Sequence, residues 1–130
     1  MRIHLATTLW GDEFTRLYLS LCLPNQLGPG NLPVLAAGAS CVYKIYTRSQ
    51  DADVIAGNPL FQHLSRLMPT ELIALNHLFD GVNAGHRGNT LLMMSVAHRA
   101  AVDAANAADA ALMFLPPDQI YSDGAFARCL

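Results

Sequence analysis

Two carboxylates near the end of the chain, Asp118 and Asp123, are candidates for a divalent-metal site. Hard cations such as Mg²⁺ or Mn²⁺ favour carboxylate oxygens and bridge them to phosphates. Both residues also read as turn formers, Asp118 after a proline pair and Asp123 before Gly124. Three basic sites could meet an anion. Arg48, which follows an apolar run ending at Thr47, can pair with a phosphate or ribose, or can pack on Tyr46 and close a loop. His98-Arg99 lies on an Ala-rich stretch, where the His is either a hydrogen-bonded core residue or a ligand contact and Arg99 is either solvated or a phosphate contact. His86-Arg87, flanked by glycines, reads either as a lid closing on phosphate or as an ordinary charged loop. No Gly-x-Gly-x-x-Gly follows the first apolar run and there is no P-loop, which argues against a dinucleotide enzyme or a nucleoside triphosphatase. A Gly-x-Ser-x-Gly elbow and a His-Glu-x-x-His helix are also missing.

The elements that must position these groups alternate between strand and helix. Ile3 to Leu9 predicts a first strand, ending in Thr7, Thr8 and Trp10, where a ligand would face it. Asp12 can cap a helix whose apolar residues Phe14, Leu17, Tyr18, Leu21 and Cys22 recur at helical spacing, and Pro24 should stop it. Asn31 can cap a short helix through Leu35. Cys41 to Thr47 is a second strand, rich in β-branched and aromatic residues. Helical segments follow over Asp51 to Ala56 and Pro59 to Leu67, with Pro69 closing the second. Glu71 to Leu75 reads as a third strand, although its Leu-Ile-Ala-Leu is equally helical on local signals. Phe79 to Gly88 carries three glycines and reads as a mobile loop; Asn89 then caps a long helix from Thr90 to Ala108. Ala110 to Leu115 predicts a fourth, inner strand, which stops on Pro116-Pro117 and delivers Asp118. That order predicts an α/β, Rossmann-like fold: a mostly parallel sheet of about four strands, right-handed crossovers and helices on both faces. Ligands on such sheets collect at the carboxyl ends of the strands.

Bulk composition narrows the class further. The 130 residues suit a single domain, 52% are hydrophobic and only 14% charged, so the chain must bury much of itself or pack against something else. A net charge of −2 with thinly spread Lys and Arg argues against nucleic acid and anionic membrane surfaces as partners. Cys22, Cys41 and Cys129 have no metal-type spacing and read as reduced thiols. No signal-peptide pattern or transmembrane-length apolar run occurs, so a cytoplasmic protein is expected.

Ala97-His98-Arg99 followed by Ala-rich turns, then Phe114-Leu115-Pro116-Pro117-Asp118, resembles the nucleotide-sugar-binding half of GT-A glycosyltransferases. In that family a helix with a small-residue, Arg, Asn motif precedes an apolar strand running into Asp-x-Asp. Pro116 replaces the first acid here, and Asp118 matches the acid that binds the metal on the sugar diphosphate. The resemblance implies that Thr7, Thr8 and Trp10 hold base and ribose, that Thr47 and Arg48 contact the nucleotide, and that His98 and Arg99 serve the same site. The Leu23-Pro24-Asn25-Gln26-Leu27 to Asn31-Leu32-Pro33 segment is similar to one in bacterial glycosyltransferase-like proteins. It further implies a nucleotide-sugar ligand, Mn²⁺ or Mg²⁺ as cofactor, and hexosyl transfer once an acceptor-binding half is supplied. Complete transferases are roughly twice a single domain of this size, so residues 1–130 are expected to lack that half. The alternative is a non-catalytic α/β module whose apolar surface builds a homo-oligomer or docks a partner.

Overall fold

Four parallel strands, β1 (Arg2–Thr8), β2 (Ser40–Thr47), β3 (Thr70–Ala74) and β4 (Ala111–Phe114), pair in the order β3-β2-β1-β4. The computed structural model describes residues 1–79 and 87–130, and the side chains of residues 1–77 and 90–130. Helices α1 (Asp12–Leu17), α2 (Leu23–Gln26) and α3 (Leu32–Gly38) lie between β1 and β2, and α4 (Ser49–Ala56) and α5 (Pro59–Leu67) between β2 and β3. Helices α6 (Asn76–Phe79) and α7 (Arg87–Ala107) precede β4. The α/β, Rossmann-like reading holds.

Alternation along the strands sends side chains to two unequal cores. Ile3, Leu5, Cys41, Tyr43 and Ile45 face one side, where they bury against Tyr18, Cys22, Leu23, Leu32, Leu35, Ile55, Phe61 and Leu64 of the helical layer. Ala6 and Tyr46 face the other side and meet Ala97 and Ala101 of α7. Handedness explains the division. The steps from β1 to β2 and from β2 to β3 run in one direction across the sheet, so right-handed crossovers place their helices on one face. The return from β3 past β1 to β4 runs the other way and puts α7 on the opposite face.

Several local expectations change. The fourth strand is an edge strand rather than an inner one, pairing only with β1 among the described residues. Its apolar run satisfies the pattern of a buried strand, but Phe114 remains 41% exposed and only the following Leu115 is fully buried. Helix formation does not stop at Pro24. Tyr18–Cys22 forms a π-helical turn, with the Leu23 N–H donating to the Tyr18 carbonyl, and the chain stays helical to Gln26. The wider turn makes room for a ring that would otherwise strike the carbonyl four residues back. Asp12 sits inside α1 and does not cap it; the N-cap is Gly11, at φ 90°. The buried stripe of this region runs through Thr15, Tyr18, Leu19, Cys22, Leu23 and Gln26, while Phe14 and Leu21 face outward. Asn89 lies in the first turn of α7 instead of capping it, and Asn31 caps α3 without a side-chain bond.

The ambiguous third segment is a strand because β2 offers it a parallel partner, and Lys44 Nζ reaches Glu71 Oε2 at 2.7 Å across that pair. The start of α4 is satisfied from a distance: Asn76 Oδ1 accepts the Ser49 N–H at 2.7 Å. Residues 80–86, which include His86 and most of the expected lid, lie outside the described residues.

After Asp118 the chain crosses the helical layer, burying Phe126 with the Tyr121 ring edge-on at 5.0 Å. Gly30 allows the close approach this needs, since a Cβ there would lie 2.5 Å from both Asp123 Oδ1 and the Gly124 nitrogen. Gly30→Ala is expected to cost about 1–3 kcal/mol by forcing the two segments apart, read as a lower urea midpoint with unchanged slope.

Candidate functional site

The strand order reverses at β1: one crossover leads from it to β2, and the last strand returns to its other side. In open parallel sheets a crevice forms at the carboxyl ends beside such a reversal, because the two neighbouring connections leave on opposite faces. A cavity of about 290 Å³ lies there, bounded by the end of β1, the end of β4 and helix α7. Thr8 lines it from the end of β1 with Leu9 and Trp10 just beyond, Phe114 from the end of β4 with Leu115 to Asp118 just beyond, Thr90, Met94 and His98 from α7, and Phe14 from α1. Its size is at the lower end for small-molecule sites, which run from roughly 300 Å³ upward.

The walls are mainly apolar and aromatic. His98 and Phe114 hold their rings 4.6 Å apart at 48°. Phe14 and Phe114, at 49% and 41% exposure, present open faces at a concave site, where a flat ring can stack. Among the described residues, the lining side chains with a polar group are few: Thr8, Trp10, Thr90, His98 and the exposed Asp118. No lysine or arginine among the described residues lines the cavity.

The structure thus brings together Thr8, Trp10, His98 and Asp118, and it assigns the other candidates elsewhere. Thr7 is buried behind the strand ends, where its hydroxyl donates to the Leu115 carbonyl at 2.8 Å and lies 3.1 Å from the Tyr43 hydroxyl. Thr47 is fully buried, its Oγ1 without a hydrogen bond among the described residues and outside the cavity. Arg48 Nε lies 2.6 Å from Asp51 Oδ2, which also accepts the Gly11 N–H at 3.1 Å. That hydrogen bond to Asp51 holds the guanidinium pKa above its ordinary value. Its charge is therefore engaged in tying the β1–α1 loop to α4 rather than in facing an anion. Arg99 is exposed on α7 and pairs with Asp103 at 3.2 Å. Asp123 Oδ1 accepts the Gly30 N–H at 2.9 Å, and its carboxylate does not line the cavity with Asp118. Among the described residues no group of three or more His, Cys, Asp or Glu side chains converges as a metal cage.

Phe14, Met94 and Phe114 were not legible as site residues. Each fits an apolar helix or strand pattern, and only its exposure in the folded chain distinguishes it from core. The cysteines are all free, and burial pushes the Cys22 and Cys41 thiols up from their ordinary pKa. No described helix is long and apolar enough to cross a membrane. Compared with protein-family models, curated proteins and solved structures, the chain matches none of them. The glycosyltransferase resemblance accordingly stands on the residues that carry it.

Proposed function

We propose that the cleft between the ends of β1 and β4 binds a nucleoside diphosphate sugar, as the nucleotide-binding half of a GT-A-type glycosyltransferase-like protein. The observation that carries this reading is the aromatic-walled cavity at the strand reversal, with Asp118 on the turn that leaves β4. The cavity is sized for a nucleoside rather than a whole nucleotide sugar. Trp10, Phe14 and Phe114 give it faces for a base, and Thr8 and His98 give it groups that can bond base or ribose. The diphosphate and sugar then extend past Asp118 into solvent.

A hard cation that arrives with a diphosphate takes most of its ligands from phosphate and water, and needs only one or two protein carboxylates. Asp118 fits that role alone, without Asp123. Bound there, Mg²⁺ or Mn²⁺ offsets charge on the diphosphate. Among the described residues the cavity lining holds no lysine or arginine, so in this reading the metal supplies positive charge to the diphosphate. The free cysteines, buried at Cys22 and Cys41 and exposed at Cys129, suit a cytoplasmic setting. Hexosyl transfer needs an acceptor-binding half in addition to these groups.

Calorimetric titration with uridine and guanosine diphosphates and their sugars, first with Mn²⁺ and then with chelator, tests the reading. Binding of one of them that chelator removes is the expected result. Absence of binding to all of them refutes it. The outer edge of β4, unpaired among the described residues, and the exposed Phe14 and Phe114 then favour the second reading, a non-catalytic module that forms an oligomer or docks a partner.

A further inference from the structure

Asp118 sits on a short connection that does little to hold itself in place. Between Leu115, whose N–H still donates to the Ala6 carbonyl at 2.8 Å, and Tyr121, the backbone closes one weak turn, Gln119 N–H to the Pro116 carbonyl at 3.4 Å. Pro116 and Pro117 contribute no N–H and only restrict φ. The two ends of the connection, in contrast, are each gripped by a side chain remote in sequence. Three residues before Asp118, the Leu115 carbonyl accepts the Thr7 hydroxyl at 2.8 Å. Three residues after it, Tyr121 is held twice by Asn25: the Asn25 amide donates to the Tyr121 carbonyl at 2.9 Å, and its carbonyl oxygen accepts the Tyr121 N–H at 2.8 Å.

We infer that Thr7 and Asn25 are positioning residues, a two-point clamp that sets where Asp118 stands relative to the cavity; this inference rests on the nucleotide-binding reading for its functional consequence. The residue types match the task. Only a carboxamide presents one donor and one acceptor side by side, as the N–H and C=O of a single residue require. Aspartate keeps the acceptor alone and leucine keeps neither. Asn25 can reach because helix formation continues past Pro24 through the π-helical turn, and its own carbonyl is in turn bonded by Asn31 Nδ2 at 3.3 Å. At the other end Thr7 is buried and buttressed by Tyr43, which donates to Gln26 Oε1 at 2.6 Å. Both grips therefore connect to the α1–α2 helical segment, one through Asn25 and one through Thr7, Tyr43 and Gln26. Neither Thr7 nor Asn25 lines the cavity.

The test uses the full chain and two readouts. In ligand-free protein, backbone ¹⁵N relaxation should show residues 118–120 falling from a rigid order parameter of roughly 0.85 to below about 0.6 in Thr7→Val and in Asn25→Leu. The amides of β1 and β2 should be unchanged, and Thr7→Ser should restore order. In titrations, both variants should lose about tenfold in affinity for uridine or guanosine diphosphate with Mn²⁺, while affinity for the corresponding nucleoside stays at the wild-type value. A turn as ordered in both variants as in wild type overturns the inference. So does a parallel loss of nucleoside and diphosphate affinity, or loosening of the sheet, because either marks a general structural role. If Asn25→Leu does not fold, the Thr7→Val and Thr7→Ser pair carries the same decision. Loss of order at 118–120 in a protein whose wild type binds no nucleotide upholds the clamp and refutes the nucleotide reading alone.

Discussion

Titrated upward through pH 10, the protein is expected to keep two of its four tyrosines, Tyr18 and Tyr43, un-ionised until it unfolds, and then to ionise that pair in one cooperative step. Tyr18 and Tyr43 are fully buried with their hydroxyls 3.1 Å apart. Burial, and then the neighbouring Tyr43, raises Tyr18 well above 10.0. Burial pushes Tyr43 up to about 12, although its hydrogen bonding with Thr7, Tyr18 and Gln26 pulls part of that back. Tyr46 and Tyr121 are raised by burial first and by nearby Glu71, or Cys22 and Asp118, second.

The sign follows from linkage. Each folded-state pKa lies above the unfolded value of 10.0, so between the two the native state holds more protons than the unfolded chain. The stabilisation is complete below pH 10 and is lost as pH rises through the folded values. Tyr43 alone, moved from 10.0 to about 12, accounts for about 3 kcal/mol at roughly 1.4 kcal/mol per unit, a large fraction of a small domain's stability. Near-ultraviolet absorbance and far-ultraviolet circular dichroism followed on one sample check this. Ionisation of all four tyrosines near pH 10 in a protein that keeps its secondary structure would show that Tyr18 and Tyr43 are not buried together as described.

Asp118→Asn should abolish the metal-dependent part of nucleoside diphosphate binding, weakening affinity with Mn²⁺ about tenfold or more, which is ~1.4 kcal/mol or greater. Chelator should then make no further difference. The carboxylate is exposed, and surface substitutions of this kind change stability by no more than about 0.5 kcal/mol, so the variant should unfold with the wild type. Titration calorimetry alongside a thermal melt reads both quantities. Nucleoside affinity should survive, because on the proposed reading the base would stack on Trp10, Phe14 and Phe114, which line the cavity, and not on Asp118. An unchanged diphosphate affinity with Mn²⁺ would remove Asp118 as a cation ligand.

Asp118 itself was legible before the fold was known, because a proline pair at the end of an apolar run leaves the next residue at a strand's carboxyl end. His98 was legible as one of two alternatives. It shares the cavity side of α7 with Met94, whereas the residues packed on the sheet are Ala97 and Ala101. Arg48 and Arg99, expected as phosphate contacts, stand outside the cavity lining and share one feature. A guanidinium near a strand end or on a helix takes the nearest available carboxylate, and Asp51 and Asp103 stand three and four residues away. Asn25 entered the reading only as part of a resemblance, since its partner Tyr121 is 96 residues distant.

Residue periodicity and the punctuation by Gly and Pro were enough to place most strands and helices, though not to choose between them at Glu71 to Leu75, where pairing with β2 decided, and alternation of the two was enough to imply a parallel sheet with right-handed crossovers. Those properties depend on neighbours a few residues apart, which the chain carries in plain view. Packing alone settled that β4 lies at the edge of the sheet, that Thr7 faces inward to Tyr43 and Leu115, that Asp123 is bonded to Gly30, and that Phe14 and Phe114 stand open around a cavity. Each of these turns on which of several chemically equivalent partners comes within about 3 Å, the reach of a hydrogen bond, and chain segments about a hundred residues apart compete for that place only once the sheet has assembled.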